Sequence, residues 1–388
     1  MRYSNLRVIS HAAVLATLAF FGGCGGSGDA ITNSDGTPVA SKIGHVFVIV
    51  LENEDFSDSF AANSAAPYLA QTLSAQGALL QNYYGIGHNS LDNYIAMLSG
   101  QGPNRTTQAD CQNFVEFSGG APTAQNGQSK GSGCVYPSTV PSLPDQLTTA
   151  KLSWKAYMED MGNTPTRETA SCGHPTIGSK DGTQVATADD QYATRHNPFV
   201  YFHAVIDDQA SCDARVVNLS KLDADLGDAG STANFIFITP NLCHDGHDSP
   251  CANGEAGGLA SINDFLKVWV PKILAAPAFK QDGLLIISFD ESNGILSDSS
   301  ACCGEGPSTN VLFPGIAGPG GGKVGAVLLS PFIKAGTIST TDYNHYSMLR
   351  SVEDLFGLPY LGYAGLDGQA SFGADVFTNK QPELPPKP

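Results

Sequence analysis

Four short runs along the chain are almost wholly apolar and rich in β-branched or aromatic residues: His45 to Leu51, Phe235 to Thr239, Leu284 to Phe289 and Ala326 to Ser330. Strands without polar alternation suit a parallel sheet covered on both faces. Between them, segments of helical character are expected at Leu91 to Leu98, Leu143 to Ala150, Ala260 to Leu274 and Tyr346 to Phe356. This order predicts an α/β fold, a three-layer sandwich with a mostly parallel central sheet. Gly-rich polar stretches at Ser118 to Gly133 and Gly315 to Gly322 read as surface loops.

The ends of the chain change that picture. Arg2 and Arg7 precede a short apolar stretch, Val8 to Phe21, too short to span a bilayer comfortably and followed by small residues. Residues 1–23 are therefore expected to be an export signal, and 24–42 a flexible tether. Phe21-Gly22-Gly23-Cys24 also resembles a lipoprotein cleavage site, which makes a membrane tether through lipidated Cys24 an expectation. The export destinations this allows are the periplasm, the outer membrane as a lipoprotein, or the medium. Residues 43–380 are expected to form one domain and 381–388 a disordered tail.

Formal charge is -17, and removing two Arg with residues 1–23 makes it -17 - 2 = -19. Nucleic-acid backbones need a basic patch, so no nucleic-acid partner is expected. A phosphate group can still be bound where a cation supplies local positive charge. Of nine cysteines, eight remain after Cys24, an even number that suggests up to four disulfides in an exported chain. Cys111 with Cys134 and Cys243 with Cys251 are natural pairs by proximity. With no Cys-x-x-Cys, a zinc–thiolate centre ranks below disulfides.

Sites in open α/β sheets gather beyond the carboxyl ends of strands. Glu52-Asn53 follows the first apolar run and Asp290-Glu291 the third, both hard oxygen donors suited to a divalent metal ion whose identity the residues leave open. The plain alternative for each is a solvated turn, but two such pairs at one edge favour metal. Ser90 lies where a helix begins and is expected to be its N-cap, where N–H groups favour anions. Two His and two Asp crowd Asn241 to Asp248, with His247 the choice for contact with a phosphate or metal. His88, His196, His244 and His345 complete the candidate histidines considered.

These residues fall into six ordered motifs: Val50-Leu51-Glu52-Asn53, Asn89 to Tyr94 with Ser99-Gly100-Gln101, Tyr192 to Phe199, Thr239 to Cys243 with Asp245 to Asp248, Ser288 to Glu291, and Tyr343 to Ser347. Together, from about Gly44 to Tyr363, they resemble the bacterial phosphoesterase family of secreted acid phosphatases, phosphatidylinositol-3-phosphate phosphatases and phospholipases C, within the alkaline-phosphatase-like superfamily. The resemblance implies Glu52, Asn53, Asp290 and Glu291 as metal ligands, and Ser90 as nucleophile and further metal contact. It implies phosphoryl contacts for His196 and His247, one of them the proton donor to the leaving group. Asn93 and Arg195 are expected at the substrate, a small phosphomonoester or phosphoinositide. His345 and Asp248 have no assigned role. Asn89 and Asp92 stand where relatives often have Pro, and Glu54-Asp55-Phe56 replaces a hydroxyl-rich run. The reading is a metal-dependent acid phosphatase working through a phosphoserine. A phospholipase C-type diesterase and a non-catalytic binding lipoprotein are the alternatives.

Overall fold

A computed structural model describes residues 40–123, 126–304 and 307–387; the expected signal, Cys24 and most of the tether lie outside them. Eight strands form the central sheet: β1 (His45–Leu51), β2 (Ala78–Leu80), β3 (Trp154–Met158), β4 (Val216–Asn218), β5 (Phe235–Thr239), β6 (Gly283–Phe289), β7 (Ala326–Leu329) and β8 (Thr337–Ser339). Their spatial order is β8-β2-β7-β6-β1-β5-β3-β4. Strand β1 sits centrally, parallel to β5 and β6, with Val48 opposite Phe237 on one side and Ile286 on the other. Buried on both faces, its Val and Ile side chains each stabilise the fold by roughly 1.5–3 kcal/mol.

Four helices match the expected positions, α1 (Ser90–Ser99), α2 (Leu143–Thr149), α3 (Gly258–Ala275) and α5 (His345–Phe356), and a short α4 (Pro277–Asp282) that was not expected follows α3. In α3, Ile262, Phe265, Leu266, Val270 and Ile273 are buried, while Lys267 faces solvent. One helical group joins α1, α2 and α5; another joins α3 and α4, with α4 against β1 and β6. The result is an α/β fold around a mixed, mostly parallel sheet. Glycine ends α1 for a steric reason. Gly100 has φ of +65°, and a Cβ there would lie 2.2 Å from the Leu361 carbonyl oxygen.

One expectation is corrected. The apolar run at 326–329 is a strand, but antiparallel to both neighbours, because the chain leaves β6 and returns to β7 at one sheet edge. The segment 381–387 lies against the domain. Glu383 donates its N–H to Ser41 O at 2.7 Å, and Lys387 Nζ pairs with Asp354 at 2.8 Å over the Tyr360 ring. Its prolines leave little backbone freedom to lose on ordering. Four disulfides are present: Cys111–Cys134 and Cys243–Cys251 as paired by proximity, with Cys172–Cys212 and the adjacent Cys302–Cys303.

Candidate active site

Because β1 and β6 run parallel side by side, their carboxyl ends bring Glu52-Asn53 and Asp290-Glu291 together. Asn53 takes a left-handed backbone (φ 53°), which asparagine tolerates. Its N–H donates to Asp290 Oδ1 at 3.2 Å, and the Glu291 N–H donates to the same oxygen at 2.7 Å. From behind, His345 Nε2 donates to Asp290 O at 2.6 Å while its Nδ1 lies 3.2 Å from Tyr83 OH. Burial drops His345 to about 4, so the ring stays neutral as a backbone clamp.

Helix α1 points its N-terminus at this edge. Asn89, with φ of 73°, is the N-cap, and Ser90 is the first helical residue, one place later than expected. The reason is that Asn89 turns its amide onto Gln108 O, while Asp110 Oδ1 accepts the Leu91 N–H at 3.0 Å. Ser90 Oγ donates to Glu52 Oε2 at 2.7 Å, and Tyr94 OH, one turn on, donates to Glu52 Oε1 at 2.5 Å. Tyr94 was not singled out in the sequence, though its spacing of four from Ser90 was the signal.

His196 is buried, with Nδ1 donating to Asp245 Oδ2 at 3.0 Å and Nε2 3.5 Å from Glu52 Oε2. Its ring stacks on Tyr94. Burial first, then Arg195 and His247, push its pKa well down, so it is neutral. Asp245 was noted only as part of a crowded segment; with Glu52 and His196 it forms a buried ligand-capable trio. His247 lines the opening, Nδ1 donating to Asp248 Oδ1 at 2.8 Å and Nε2 accepting from Arg195 Nη2 at 3.1 Å.

Two expected substrate contacts are placed differently. Asn93 is fully buried, its Oδ1 accepting from the N–H groups of Ile86 (2.7 Å) and Gly87 (3.0 Å), so it shapes the turn before α1. Arg195 is also buried, held by Gln184 O and beside Asp110, and reaches the opening through His247. His244 stands outside the constellation, between Glu159 and Glu255. Its neighbour Cys243 is committed to a disulfide and offers no thiolate.

Uncompensated negative charge dominates the electrostatics. Burial raises Glu52, with Asp290 and Asp245 adding to the effect; burial likewise raises Glu291, helped by Asp290 and Asp92. Asp290 rises to about 6 through burial, against the N–H groups that favour its anion. Asp290 Oδ2 and Glu291 Oε2 are buried and accept no hydrogen bond. His88 donates Nε2–H to Asp298 O, so its Nδ1 lone pair faces Glu291 Oε2 at 2.9 Å. Lone pairs and carboxylates meeting in a buried site fit a bound cation, and the oxygen-rich set Glu52, Asn53, Ser90, Asp290 and Glu291 fits a hard divalent ion. Above it opens a cleft of about 640 Å³ lined by Asn53, Ser90, Asp110, His247, Glu291 and the 293–297 loop.

A phosphate-repressible acid phosphatase from Penicillium chrysogenum is 27% identical over 81% of this chain and 59% of its own length. An acid phosphatase from Aspergillus fumigatus is likewise 27% identical, over 81% of this chain and 55% of that one. The chain thus spans less than two-thirds of the length of these fungal relatives. A phosphatidylinositol-3-phosphatase from Mycobacterium tuberculosis is 24% identical over 82% and 79% of the two chains. Among solved structures, an alkaline phosphatase superfamily protein from Vibrio parahaemolyticus superposes with a TM-score of 0.43 at 12% identity, over 81% and 67% of the chains; at that distance the α/β class rests on the strand order itself. The Phosphoesterase family model matches residues 58–359, most of the chain, which therefore belongs to that family.

Proposed function

We propose that this chain hydrolyses phosphate monoesters through Ser90 as nucleophile. The observation that carries the reading is Ser90 Oγ, at the first position of α1, bonded at 2.7 Å to a buried carboxylate beside further carboxylate oxygens that lack partners. Glu52, Asn53, Asp290, Glu291 and Ser90 would hold a divalent cation. When bound, that ion supplies positive charge against the transferring phosphoryl oxygens and lowers the proton affinity of the serine hydroxyl.

The chain's own residues do the rest. Glu52 fixes Oγ in place and takes up its hydrogen bond, while Tyr94 fixes Glu52. The N-terminus of α1 aims its dipole at the phosphoryl group. Ser90 passes its hydroxyl proton to Glu52 Oε2 as Oγ attacks in line, the P–O bond to the leaving group breaks, and a phosphoserine forms. His247, at the opening, is the better proton donor to the leaving oxygen once Nε2 carries a proton in place of its contact with Arg195, because His196 is buried behind Glu52. Water then splits the phosphoserine in a second in-line step, freeing phosphate. Asp245 keeps His196 in the tautomer that turns Nε2 toward Glu52.

Four disulfides support export, since such bonds persist in oxidising compartments. The exported form is then secreted or held at a membrane through Cys24. No helix among the described residues is long and apolar enough to cross a bilayer.

Release of nitrophenol from nitrophenyl phosphate at pH 5 to 8, with and without chelator, tests the reading. Cation-dependent release is expected, and Ser90→Ala should lower it by at least about a thousandfold, the scale of nucleophile removal. Acid quenching should trap phosphate on the unmodified chain and not on the variant. Unimpaired turnover by the variant would remove Ser90 from the mechanism. Activity confined to a phosphocholine diester would favour the phospholipase alternative.

A further inference from the structure

Nine large apolar side chains are well exposed among the described residues, and five of them lie on three loops tied to the cleft. Leu296 is 92% exposed on the 293–297 loop that lines the opening, and that loop is pinned by the Asn293 N–H donating to Asp55 Oδ1 at 2.9 Å. Leu312 (66%), Phe313 (53%) and Ile316 (40%) follow on a second loop. Gln108 holds that loop by donating to Phe313 O and Pro314 O, and its own carbonyl takes the Asn89 amide beside Ser90. Val185 (76%) lies on the third, where Gln184 Nε2 donates to Asp110 O at 2.9 Å in the cleft wall.

Charge separates the second loop from the rest of the protein. Residues 307–322 carry no charged side chain in a chain of net charge -17. Such a bare apolar rim is costly in water and would meet no repulsion at a neutral interface. An anionic surface would repel the acidic body around it. The second loop is braced from within, the Ile316 N–H donating to Phe313 O and the Gly315 N–H to Gly318 O, each at 3.0 Å.

We propose that the cleft docks on a zwitterionic lipid surface through Val185, Leu296, Leu312, Phe313 and Ile316, which presents the headgroup phosphate of a lipid monoester to Ser90. This rests on the phosphatase reading of the same cleft. The reaction is unchanged: the lipid–oxygen bond to phosphorus breaks and the lipid leaves as an alcohol.

The test uses the full chain with Cys24→Ser, so that no acyl chain contributes, against the same chain carrying Leu312→Ser, Phe313→Ser and Ile316→Ser. All three residues are exposed, so folding and hydrolysis of soluble nitrophenyl phosphate should stay within about twofold. Partition onto phosphatidylcholine vesicles should fall at least about tenfold, since burying even one such side chain is worth about that factor. Hydrolysis of dilute phosphatidate in those vesicles should fall in step. Equal partition of the two chains, or no partition of the parent, overturns the docking surface. Self-association of the parent that the triple variant loses also overturns it, in favour of a second copy as occupant. Vesicle binding without hydrolysis of any monoester would support docking and overturn the phosphatase reading alone.

Discussion

Replacing Asp290 by asparagine probes the balance of charge in the cleft more directly than any activity assay. Burial lifts this carboxyl from 3.8 to about 6, so the folded chain binds a proton that the unfolded chain has released. An acid raised in this way contributes fully below its ordinary value, and that stability is lost as pH climbs through about 6. The shift corresponds to ~3 kcal/mol at pH 7.5 in metal-free protein. The Asp290→Asn side chain keeps an Oδ1 for the two N–H donors of Asn53 and Glu291, and replaces the unpartnered Oδ2 with an uncharged amide. The metal-free variant should therefore be more stable than its parent by ~2–3 kcal/mol at pH 7.5, or ~3–4 °C in Tm for a domain of this size. At pH 3.5 the two should converge. With a divalent cation at about a thousand times Kd the order should invert, because only the chain with intact ligands is stabilised, by ~4.1 kcal/mol. Calorimetry in chelator and in excess cation reads all of these. A variant less stable than its parent in chelator at pH 7.5 would refute the account of a charge-strained, cation-seeking cleft.

Three other outcomes follow from the same physical reasoning. His247→Gln should slow hydrolysis of alkyl monoesters by about a hundredfold but spare nitrophenyl phosphate, whose leaving group needs no proton; equal losses would deny it the acid role. For His244, burial pulls the pKa down, but hydrogen bonding and charge from Glu159, then Glu255, carry it to about 9. Its stabilisation is complete below about 6.5 and lost as pH rises through about 9. His244→Gln should cost ~1–2 kcal/mol at pH 6 after allowance for screening, and almost nothing at pH 10, by denaturant titration. Gly77→Ala would set a Cβ 2.1 Å from the Leu328 carbonyl oxygen, so the β2–β7 pairing must shift. The loss should be ~1–3 kcal/mol or more, and an unchanged midpoint would show that the edge of the sheet yields freely.

Long, fully buried elements were legible in the sequence because burial on both faces leaves no polar positions to blur the pattern, as in β1 and β6. Helices α1 and α5 were equally readable, since Gly100 and Gly357 mark where they stop. The outer strands were not. Three residues at Ala78–Leu80 or Thr337–Ser339 are too few for any period, and Trp154–Met158 carries Lys155, paired with Asp225, within the strand. Strand direction was hidden as well, since an apolar run such as 326–329 reads the same both ways. At the site, the ligand-capable residues followed from position after strands, but their second neighbours did not. Tyr94 and Asp245 gain their importance from where their oxygens point, and the Asn93 amide oxygen is spent on the turn before α1.

The reversed strand β7 has an evolutionary consequence. Since β6 ends and β7 begins at the same rim, the intervening chain has no obligation to cross beneath the sheet. It starts and finishes beside the reacting centre, secured by bonds such as Lys323 N–H to Asp298 and Ser292 N–H to Gly321 O. Lengthening, shortening or exchanging that stretch would leave the pairing of Ala326 with Ser288 undisturbed. The portion of the protein that meets the outside world is thus an exchangeable fitting, and the chemistry beneath it can be conserved while new surfaces are tried.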